Sequence, residues 1–376
     1  MPLRPETIAI HAGNEHVAGE HPVIQPITLS TTFRHEAGAL LYSRTENPNR
    51  RALEKVLAQL ESGVEAACFS SGNAAGMAVF QALPAGSHVL APDDMYHGLR
   101  LQLKNLFAGV LEVDFVDMCD LEAVRAAFRP ETALVWVETP SNPLLKISDI
   151  AGISQLCKEK KVVLACDNTF ASPIFQQPLL LGADLVMHSS TKFIGGHSDL
   201  TGGVVVSAEK SPLWEKIRTI QQVGGAVPSP FDCYFLTRSI KTLPYRMRAH
   251  AANAMLIARF LEDAPSISRV YYPGLESHPQ HPLAARQMRA FGSMLSFLFE
   301  GDAQQTDAFI EGLQLFTNAT SLGGVETLIE RRAAVEGPDT KTPENLIRLS
   351  VGLEHPEDLI ADLIQAITTI PLRIKN

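Results

Sequence analysis

Hydrophobic and polar residues alternate along most of this chain in blocks that predict β-strands separated by α-helices. Seven short apolar runs indicate buried strands, at residues 64–69, 87–91, 111–116, 133–137, 162–166, 185–187 and 204–206. Stretches between them, such as residues 120–128 and 147–160, have apolar residues at helical spacing. Because continuous apolar strands between helices are covered on both faces, the pattern predicts an α/β domain around a large, mostly parallel seven-stranded sheet.

The regions on either side of this block predict a division of the chain into three parts. Residues 1–45 are rich in Pro, His, Thr and Gly and lack a sustained period, which is typical of an extended arm. Residues 46–240 form the predicted α/β domain. Residues 241–376 are predicted to form a smaller C-terminal α+β domain. Its predicted elements are a helix, two strands and a closing helix, at residues 246–262, 291–299, 346–353 and 356–370.

The composition excludes several classes of protein. With 376 residues, of which 45% are apolar and 19% charged, the chain can bury a large core and is long enough for two domains. The net charge of −9 argues against nucleic acid, which needs a basic surface. The five cysteines form no C-x-x-C pair, so no metal site or disulfide framework is predicted. No stretch resembles a membrane span or signal peptide, so a cytoplasmic protein is expected.

Two predicted strand ends carry residues that suit pyridoxal phosphate (PLP). Lys192 follows the turn Ser189-Ser190-Thr191 after one apolar run, and Asp167 follows the run before it. A lysine amine forms the Schiff base that the PLP aldehyde requires. A carboxylate holds the proton that makes the pyridine ring an electron sink. Lys192 alone would be read as an ordinary surface lysine, but its spacing from Asp167 favours a PLP site.

The segment Ser71-Gly72-Asn73 follows the first predicted strand and is a candidate phosphate cradle. Glycine lets a backbone approach a ligand closely, and the free amides of a helix N-terminus attract anions. The amides of Gly72 and Asn73 are therefore predicted phosphate donors, with the Ser71 hydroxyl beside them. Ser189 and Thr191 are predicted to add hydroxyl groups. Without the lysine downstream, the segment would be read as a simple helix N-cap.

Three further residues are candidates for contact with the cofactor or the substrate. Tyr96, just past the second strand, can stack on a flat ring at the carboxyl end of the sheet. Asn142, in a Pro-rich turn after the fourth strand, offers an amide to the phenolic oxygen of the cofactor. Arg348 lies in an apolar strand, where it needs a partner, either a substrate carboxylate or an internal salt bridge.

Taken together, these residues resemble the Cys/Met-metabolism, or transsulfuration, family of PLP-dependent enzymes. The resemblance runs from Tyr42-Ser43-Arg44-Thr45 to residues 348–354, and its most specific motifs are at residues 167–170 and 189–199. It implies a fold-type I, aminotransferase-like architecture and a homotetramer of two close dimers. Tyr42 and Arg44 match arm residues that reach the cofactor of a neighbouring subunit. Ser321 matches a residue near the lysine and the substrate carboxylate.

The resemblance also implies γ-elimination or γ-replacement on a sulfur amino acid. The implied catalytic residues are Lys192, Tyr96 and Tyr42, and the implied substrate-binding residues are Arg348, Ser321 and Asn142. The favoured reaction is that of cystathionine γ-lyase, which gives a thiol amino acid, a 2-keto acid and ammonia. Cystathionine γ-synthase is the next alternative, followed by methionine γ-lyase, cystathionine β-lyase and homoserine-ester sulfhydrylase. A PLP-binding protein without turnover is a distant alternative, because the chemical residues are present.

Several positions depart from the family pattern. Thr320 stands where γ-lyases and γ-synthases often have Glu, which can meet the distal ammonium of cystathionine. Thr320 is therefore expected to broaden the substrate range. The usual His-Pro segment is replaced by residues 331–338, which begin with Arg331-Arg332. Methionine γ-lyases usually have Cys at the position of Gly98, which weakens that alternative. No G-x-G-x-x-G or Walker-type loop is present, which argues against a nucleotide-binding protein.

Overall fold

A computed structural model describes residues 3–14, 22–36, 40–336 and 342–369 of the chain. Within them, a seven-stranded sheet forms the centre of the larger part of the molecule. Its strands are β1 (Glu65–Phe69), β2 (His88–Pro92), β3 (Glu112–Val116), β4 (Thr132–Glu138), β5 (Val163–Asp167), β6 (Leu185–His188) and β7 (Gly203–Ser207). They lie in the order β1-β7-β6-β5-β4-β2-β3, and β7 alone of the seven runs antiparallel to its neighbours. The predicted mostly parallel sheet is confirmed.

Thirteen α-helices lie in the described residues, and those that pack on the large sheet cover both of its faces. In chain order they are α1 (Pro5–His11), α2 (Pro48–Leu60), α3 (Gly72–Ala82), α4 (His97–Leu101), α5 (Leu121–Ala127), α6 (Ile150–Lys160), α7 (Ser172–Phe175), α8 (Pro212–Thr219), α9 (Pro230–Ile240), α10 (Leu243–Asp263), α11 (His281–Gln287), α12 (Ala303–Gly312) and α13 (Pro356–Thr369). Short 3₁₀ or π turns occur at Gln102–Leu106, Pro178–Leu181, Ile220–Gly224 and Arg332–Ala334. None of the helices in the described residues is both long and apolar enough to cross a membrane.

Strand β4 illustrates how the two faces are filled. Trp136 packs against Phe80 of α3 on one face, with ring centroids 5.1 Å apart. Its neighbour Val135 belongs to the core of the other face, together with Ile153 of α6. Helix α6 begins three residues later than the predicted position 147, because the Asp149 side chain caps it by accepting from the Gly152 amide. The alternation of side chains along a strand therefore serves two separate cores.

A second, five-stranded sheet lies in the C-terminal part of the chain. Its strands are β8 (Ile267–Tyr271), β9 (Met294–Phe299), β10 (Thr317–Asn318), β11 (Leu328–Arg331) and β12 (Leu346–Ser350), in the order β10-β11-β12-β9-β8. The two predicted strands correspond to β9 and β12, and the predicted helices to α10 and α13. Strands β8, β10 and β11 escape the sequence prediction, because β8 is half-exposed at an edge and the other two are short. The domain boundaries at residues 45 and 240 stay predictions.

The N-terminal arm is not uniformly extended. Helix α1 lies within it, and its Ala9 is buried in the same cluster as Leu53 and Val56 of α2. The prediction of an extended arm is wrong for this helix, which is too short to display a clear period. Residues 1–2, 15–21 and 37–39 of the predicted arm lie outside the described residues, as do residue 370 of the predicted closing helix and the segment 337–341.

Candidate active site

A cavity of about 310 Å³ opens where the parallel strands β1, β4, β5 and β6 have their carboxyl ends. This is the edge at which open α/β sheets bind ligands. Among the residues that line it are Ser71, Gly72, Asn73, Tyr96, Asn142, Asp167, Ser189, Thr191, Lys192, Ser321 and Arg348. The structure therefore brings together every predicted site residue except Tyr42 and Arg44.

The ε-amine of Lys192 lies in this cavity, in the turn that follows β6. Its Nζ donates a hydrogen bond to the Oγ of Ser321 at 3.0 Å. Burial, together with the charge of Arg348, lowers the pKa of Lys192 to about 8. Ser321 has φ +145°, a value that residues other than glycine rarely adopt, and such conformations are concentrated at functional sites. An amine with a lowered pKa suits attack on an aldehyde, since its neutral form is the nucleophile.

We expect the rate at which the cofactor-free protein captures PLP to rise with pH and to level off above about pH 8. The neutral fraction of Lys192 grows as the pH passes its pKa of about 8, whereas an ordinary lysine would titrate near 10.5. The visible absorbance gained on mixing measures this rate. Removing the neighbouring cation by Arg348→Ala should move the midpoint to higher pH. A wild-type rate that still rises steeply at about pH 10 would contradict the lowered pKa.

Asp167 closes β5 in the wall of the cavity, in register with Glu138, which closes β4. Thr169 donates to Oδ1 of Asp167 through its hydroxyl at 2.5 Å and its amide at 3.0 Å. Burial raises the pKa of Asp167, and these hydrogen bonds oppose the rise. Burial and the charge of Asp167 also raise the pKa of Glu138. Two adjoining buried carboxyl groups need a proton or a cation nearby, and a protonated ring nitrogen would provide one.

The N-terminus of α3 fits a phosphate. The Ser71 side chain caps the helix by accepting from the Ala74 amide at 3.1 Å. The amides of Gly72 and Asn73, at the first two positions of the helix, have no acceptor among the described residues and line the cavity. A Cβ on Gly72 would lie 2.7 Å from the Cβ of Ser189, so this turn and the lysine turn approach closely only because residue 72 is glycine.

The two predicted hydroxyl donors differ in their present partners. The Thr191 hydroxyl donates to the Gly202 carbonyl at 3.2 Å and accepts from the Gly202 amide at 3.0 Å. The Ser189 hydroxyl makes no hydrogen bond to any described residue, although the Ser189 amide is bound by Thr169. Both residues line the cavity. Ser189 is therefore the better placed hydroxyl donor, since Thr191 would have to give up an existing bond.

Tyr96 and Asn142 line the cavity as predicted. Tyr96 is 42% exposed, and its backbone amide donates to Oε2 of Glu138 at 2.8 Å. A Cβ on Gly98 would lie 2.6 Å from the Tyr96 ring, so the ring can occupy this position because residue 98 is glycine. Asn142 is buried, and its Oδ1 accepts from Nη1 of Arg348 at 3.1 Å. Asn142 thus connects the loop after β4 with the second sheet.

Arg348 is 5% exposed and has the internal salt bridge that the sequence offered as one alternative. It pairs with Glu330, its register partner on β11, and donates to the Ser321 carbonyl at 3.2 Å. Burial and the charge of Arg332 lower the pKa of Arg348 to about 10, which still leaves it charged near neutrality. Because Arg348 also lines the cavity, the salt bridge fixes its position without removing it from the site.

Among the lining residues that were not identified from the sequence are Glu138, Thr169 and Arg332. Glu138 ends a buried strand just as Asp167 does, and that parallel could have pointed to it. Thr169 immediately follows the Asp-Asn pair. Arg332 gives no such signal, because its approach to the cavity depends on where β11 ends. Thr320 also lines the cavity, but its hydroxyl hydrogen is engaged by Oε2 of Glu330 at 2.9 Å.

Tyr42 and Arg44 lie outside the cavity. The Arg44 guanidinium lies 5.6 Å from the centre of the Tyr42 ring and donates to the carbonyl of Gln222. Tyr42 is 42% exposed. Their contribution to a neighbouring subunit therefore stays a prediction.

The chemistry of the cavity fits PLP. It combines an amine of lowered pKa, a buried carboxyl group and two backbone amides that have no acceptor in the described part of the chain. These groups suit the aldehyde, the ring nitrogen and the phosphate of PLP, respectively. The described part of the chain contains no group of three His, Cys, Asp or Glu side chains arranged to hold a metal ion. Fold and cavity together are those of a fold-type I PLP-dependent enzyme.

Comparison with known proteins identifies the family. The profile of the Cys/Met metabolism PLP-dependent enzymes matches residues 6–368, and the chain belongs to this family. It is 46% identical to the cystathionine gamma-synthase of Mycobacterium leprae over 96% of both chains. It is 44% identical to the cystathionine gamma-lyase of Dictyostelium discoideum, covering 96% of this chain and 97% of that protein. The crystal structure of cystathionine gamma-lyase from Lactobacillus plantarum with L-serine superposes with a TM-score of 0.93 at 40% identity, covering 98% of this chain and 99% of that one. The prediction of a transsulfuration PLP enzyme is confirmed.

Proposed function

We propose that the protein cleaves the bond between the γ-carbon and sulfur of a cystathionine-type amino acid, as a cystathionine γ-lyase does. The observation that carries this proposal is the amine of Lys192. It has a pKa of about 8 and shares one cavity with the buried Asp167 and the guanidinium of Arg348. Such an amine can both accept and return a proton near neutral pH.

Each residue of the cavity has a separate task in this proposal. When bound, PLP supplies the electron sink that stabilises negative charge at the substrate α-carbon. Arg348 binds the substrate carboxylate, and its bonds to Asn142 and Glu330 keep the guanidinium in place. Lys192 removes the α-proton and then moves a proton at the β-carbon, which allows the γ-substituent to leave. Ser321, 3.0 Å from Nζ, orients the amine, and Tyr96 assists the proton transfers from the mouth of the cavity.

The products follow from the bonds that break. The γ-carbon–sulfur bond of cystathionine breaks, and the sulfur leaves as the thiol of cysteine after it takes a proton. One water molecule then hydrolyses the four-carbon fragment, which leaves as 2-oxobutanoate and ammonia. If a thiol adds to this fragment before water does, the result is γ-replacement.

Cystathionine γ-synthase is the second candidate, favoured by the 46% identity to the mycobacterial protein of that name. The two reactions share the α- and β-proton transfers and differ in which γ-group leaves and which nucleophile enters. Lys192 and Arg348 would have the same tasks in both. The two candidates are therefore distinguished by whether water or the thiol of cysteine reacts with the four-carbon fragment.

A product assay separates the two candidates. The holoenzyme is incubated with cystathionine alone, and in parallel with an O-acyl-L-homoserine plus cysteine. We expect cysteine, 2-oxobutanoate and ammonia in equal amounts from cystathionine. Efficient formation of cystathionine from the ester, without breakdown of added cystathionine, would assign the protein as a γ-synthase. No turnover of cystathionine or of the ester, while the cofactor stays bound, would contradict both candidates.

We further propose that the enzyme is a homotetramer of two close dimers, in which Tyr42 and Arg44 complete the active site of the neighbouring subunit. The proposal is supported by the position of both side chains outside the cavity of their own chain. Arg44 can offer a guanidinium to the cofactor phosphate and Tyr42 a phenol. The two residues would then belong to one site built from two chains.

Mixing inactive Arg44→Ala protein with inactive Lys192→Ala protein should restore part of the activity under conditions of subunit exchange. In a mixed dimer, one of the two sites takes Lys192 from one chain and Arg44 from the other, and is therefore intact. The control is each single variant incubated in the same buffer without the other variant. Mixed dimers that are demonstrated by differently tagged chains but remain inactive would contradict shared sites.

The assignment of cofactor binding and substrate binding to separate segments of the chain is also a proposal. We propose that residues 46–240 bind the cofactor and that residues 241–376 bind the substrate, which is supported by Asp167 and Lys192 in the first segment and Arg348 in the second. A reducing, cytoplasmic location is supported by five cysteines without disulfide partners.

A further inference from the structure

Arg332 places a second guanidinium on the substrate side of the cavity. It begins the 3₁₀ turn Arg332–Ala334 directly after β11 and lines the cavity together with Arg348 and Thr320. Its side chain is 6% exposed. A buried arginine at the wall of an active site needs an explanation, because burial of a charge is costly unless the charge has partners.

Residues within the protein accept hydrogen bonds from only some of the N–H groups of the Arg332 guanidinium. Nη1 donates to Glu330 at 2.7 Å, and Nε and Nη2 donate to Glu336 at 3.1 and 2.8 Å. An arginine side chain has five N–H donors. Three of them are used, so two of the five, one on each terminal nitrogen, have no acceptor among the described residues. These two N–H groups belong to a side chain that lines the cavity, and a carboxylate is the group that such a fork binds best.

The charges around the cavity are unevenly distributed. Three cationic side chains, those of Lys192, Arg348 and Arg332, line it. The described lining residues include two carboxyl groups, Glu138 and Asp167, and both close strands of the large sheet, on the side assigned to the cofactor. The carboxylates that pair with Arg332 are not themselves lining residues. The substrate side therefore places guanidinium groups against a ligand, and its described lining residues contribute no carboxylate.

Thr320 reinforces this asymmetry. Its hydroxyl donates to Glu330, on the oxygen opposite the one that Arg332 contacts. The hydrogen of that hydroxyl is thus unavailable to a ligand, and Thr320 adds no negative charge. A substrate group with an ammonium at its far end finds no carboxylate among the described lining residues of this side, whereas a carboxylate finds a guanidinium.

We propose that Arg332 binds a carboxylate at the far end of the substrate side chain, and so selects amino acids that carry a second acid group beyond the γ-position. This inference rests on the proposed function, since it assigns the first carboxylate to Arg348. Arg332 contacts the substrate away from the bonds that break. It is therefore a specificity residue, and its loss should affect substrates according to their charge.

The competing explanation is that Arg332 only neutralises Glu330 and Glu336. In that case the loss of Arg332 would lower kcat/KM for all substrates alike, because Glu330 would lose one of its partners. Arg331 supplies a matched control, because it is the preceding residue and pairs with Asp307 at 2.6 and 2.9 Å without lining the cavity. Comparison of Arg332→Gln with Arg331→Gln separates a role in the cavity from a general effect of removing an arginine.

The test uses two ligands of equal shape, S-(2-carboxyethyl)-L-homocysteine and its primary amide, which differ only in the charge of the distal group. With the wild-type holoenzyme, we expect kcat/KM to favour the acid over the amide by about tenfold or more. Arg332→Gln should remove this preference while kcat/KM for the amide changes by less than about threefold. Arg331→Gln should preserve it. Equal loss for both ligands in Arg332→Gln would overturn the proposal and leave Arg332 a structural residue.

A second measurement remains decisive even if Arg332→Gln fails to fold. The dissociation constants of the two ligands for the wild-type holoenzyme follow from the change in its visible absorbance. The proposal requires that the acid bind more tightly than the amide. Equal or tighter binding of the amide, with turnover of either ligand, would overturn the Arg332 assignment and leave the proposed function standing. No spectral change with either ligand would also overturn the Arg332 assignment, whereas the proposed function is overturned only if cystathionine itself is not turned over in the product assay.

Discussion

Lys192→Ala should lower turnover by about a thousandfold or more, the largest effect expected of any single substitution in this protein. In the proposed mechanism one amine has two tasks, since it anchors the cofactor and moves the protons at the α- and β-carbons. Its pKa of about 8 and its bond to Ser321 suit both tasks. The measurement is the rate of 2-oxobutanoate release at saturating PLP.

The control for this substitution is Lys146→Ala. Lys146 is a partly buried lysine that pairs with Asp93 and Asp117 and does not line the cavity. It should retain turnover within a few-fold and keep its visible absorbance. A small primary amine added to Lys192→Ala should restore a small part of the rate, because proton transfer can be supplied from solution. Activity near the wild-type level in Lys192→Ala would assign both tasks to another group.

Arg348→Ala should cost on the order of 2–4 kcal/mol in kcat/KM, the second largest effect expected. The substitution removes the buried guanidinium that we propose binds the substrate carboxylate, and it also leaves Glu330 with one fewer cation. Arg348→Lys should not restore activity, because an ammonium group lacks the planar fork that binds a carboxylate through two parallel bonds.

Two measurements separate these contributions. Glu330→Gln removes the carboxylate that positions Arg348 but keeps the guanidinium, so it should cost less than Arg348→Ala. The loss in Arg348→Ala should also be much smaller for a substrate analogue without the α-carboxylate. A folded Arg348→Ala protein with kcat/KM close to that of the wild type would show that the arginine serves only the salt bridge.

Much of the fold could be predicted because the large sheet is buried on both faces. Strands such as β4 and β5 appear in the sequence as uninterrupted apolar runs, and each ends in a polar residue at the edge where ligands bind. The positions of Asp167 and Lys192 at this edge could be predicted for the same reason, and their roles stay predictions. Strand β8, by contrast, has two exposed residues among its five and no apolar run, so periodicity does not reveal it.

The less predictable part of the site depends on contacts between distant segments. Glu330 meets Arg348 through the register of β11 and β12, and Thr320 reaches the same carboxylate from a loop. A sequence presents these groups as separate charges and hydroxyls. Only the folded chain joins them into one network and places Arg332 at the wall of the cavity. The family pattern did not predict this position of Arg332, because residues 331–338 replace the usual His-Pro segment. Helix α1 is similar, because its position is fixed by packing against α2.

The central claim, that Lys192 holds the cofactor in this cavity, is tested most directly by borohydride reduction of the holoenzyme followed by peptide mapping. Reduction converts the bond between lysine and PLP into a stable secondary amine, which marks the residue. We predict that the label is found on the peptide containing His188 to Phe193, with the modified residue at Lys192 and about one label per chain. A label on another lysine, with Lys192 unmodified, would contradict the account.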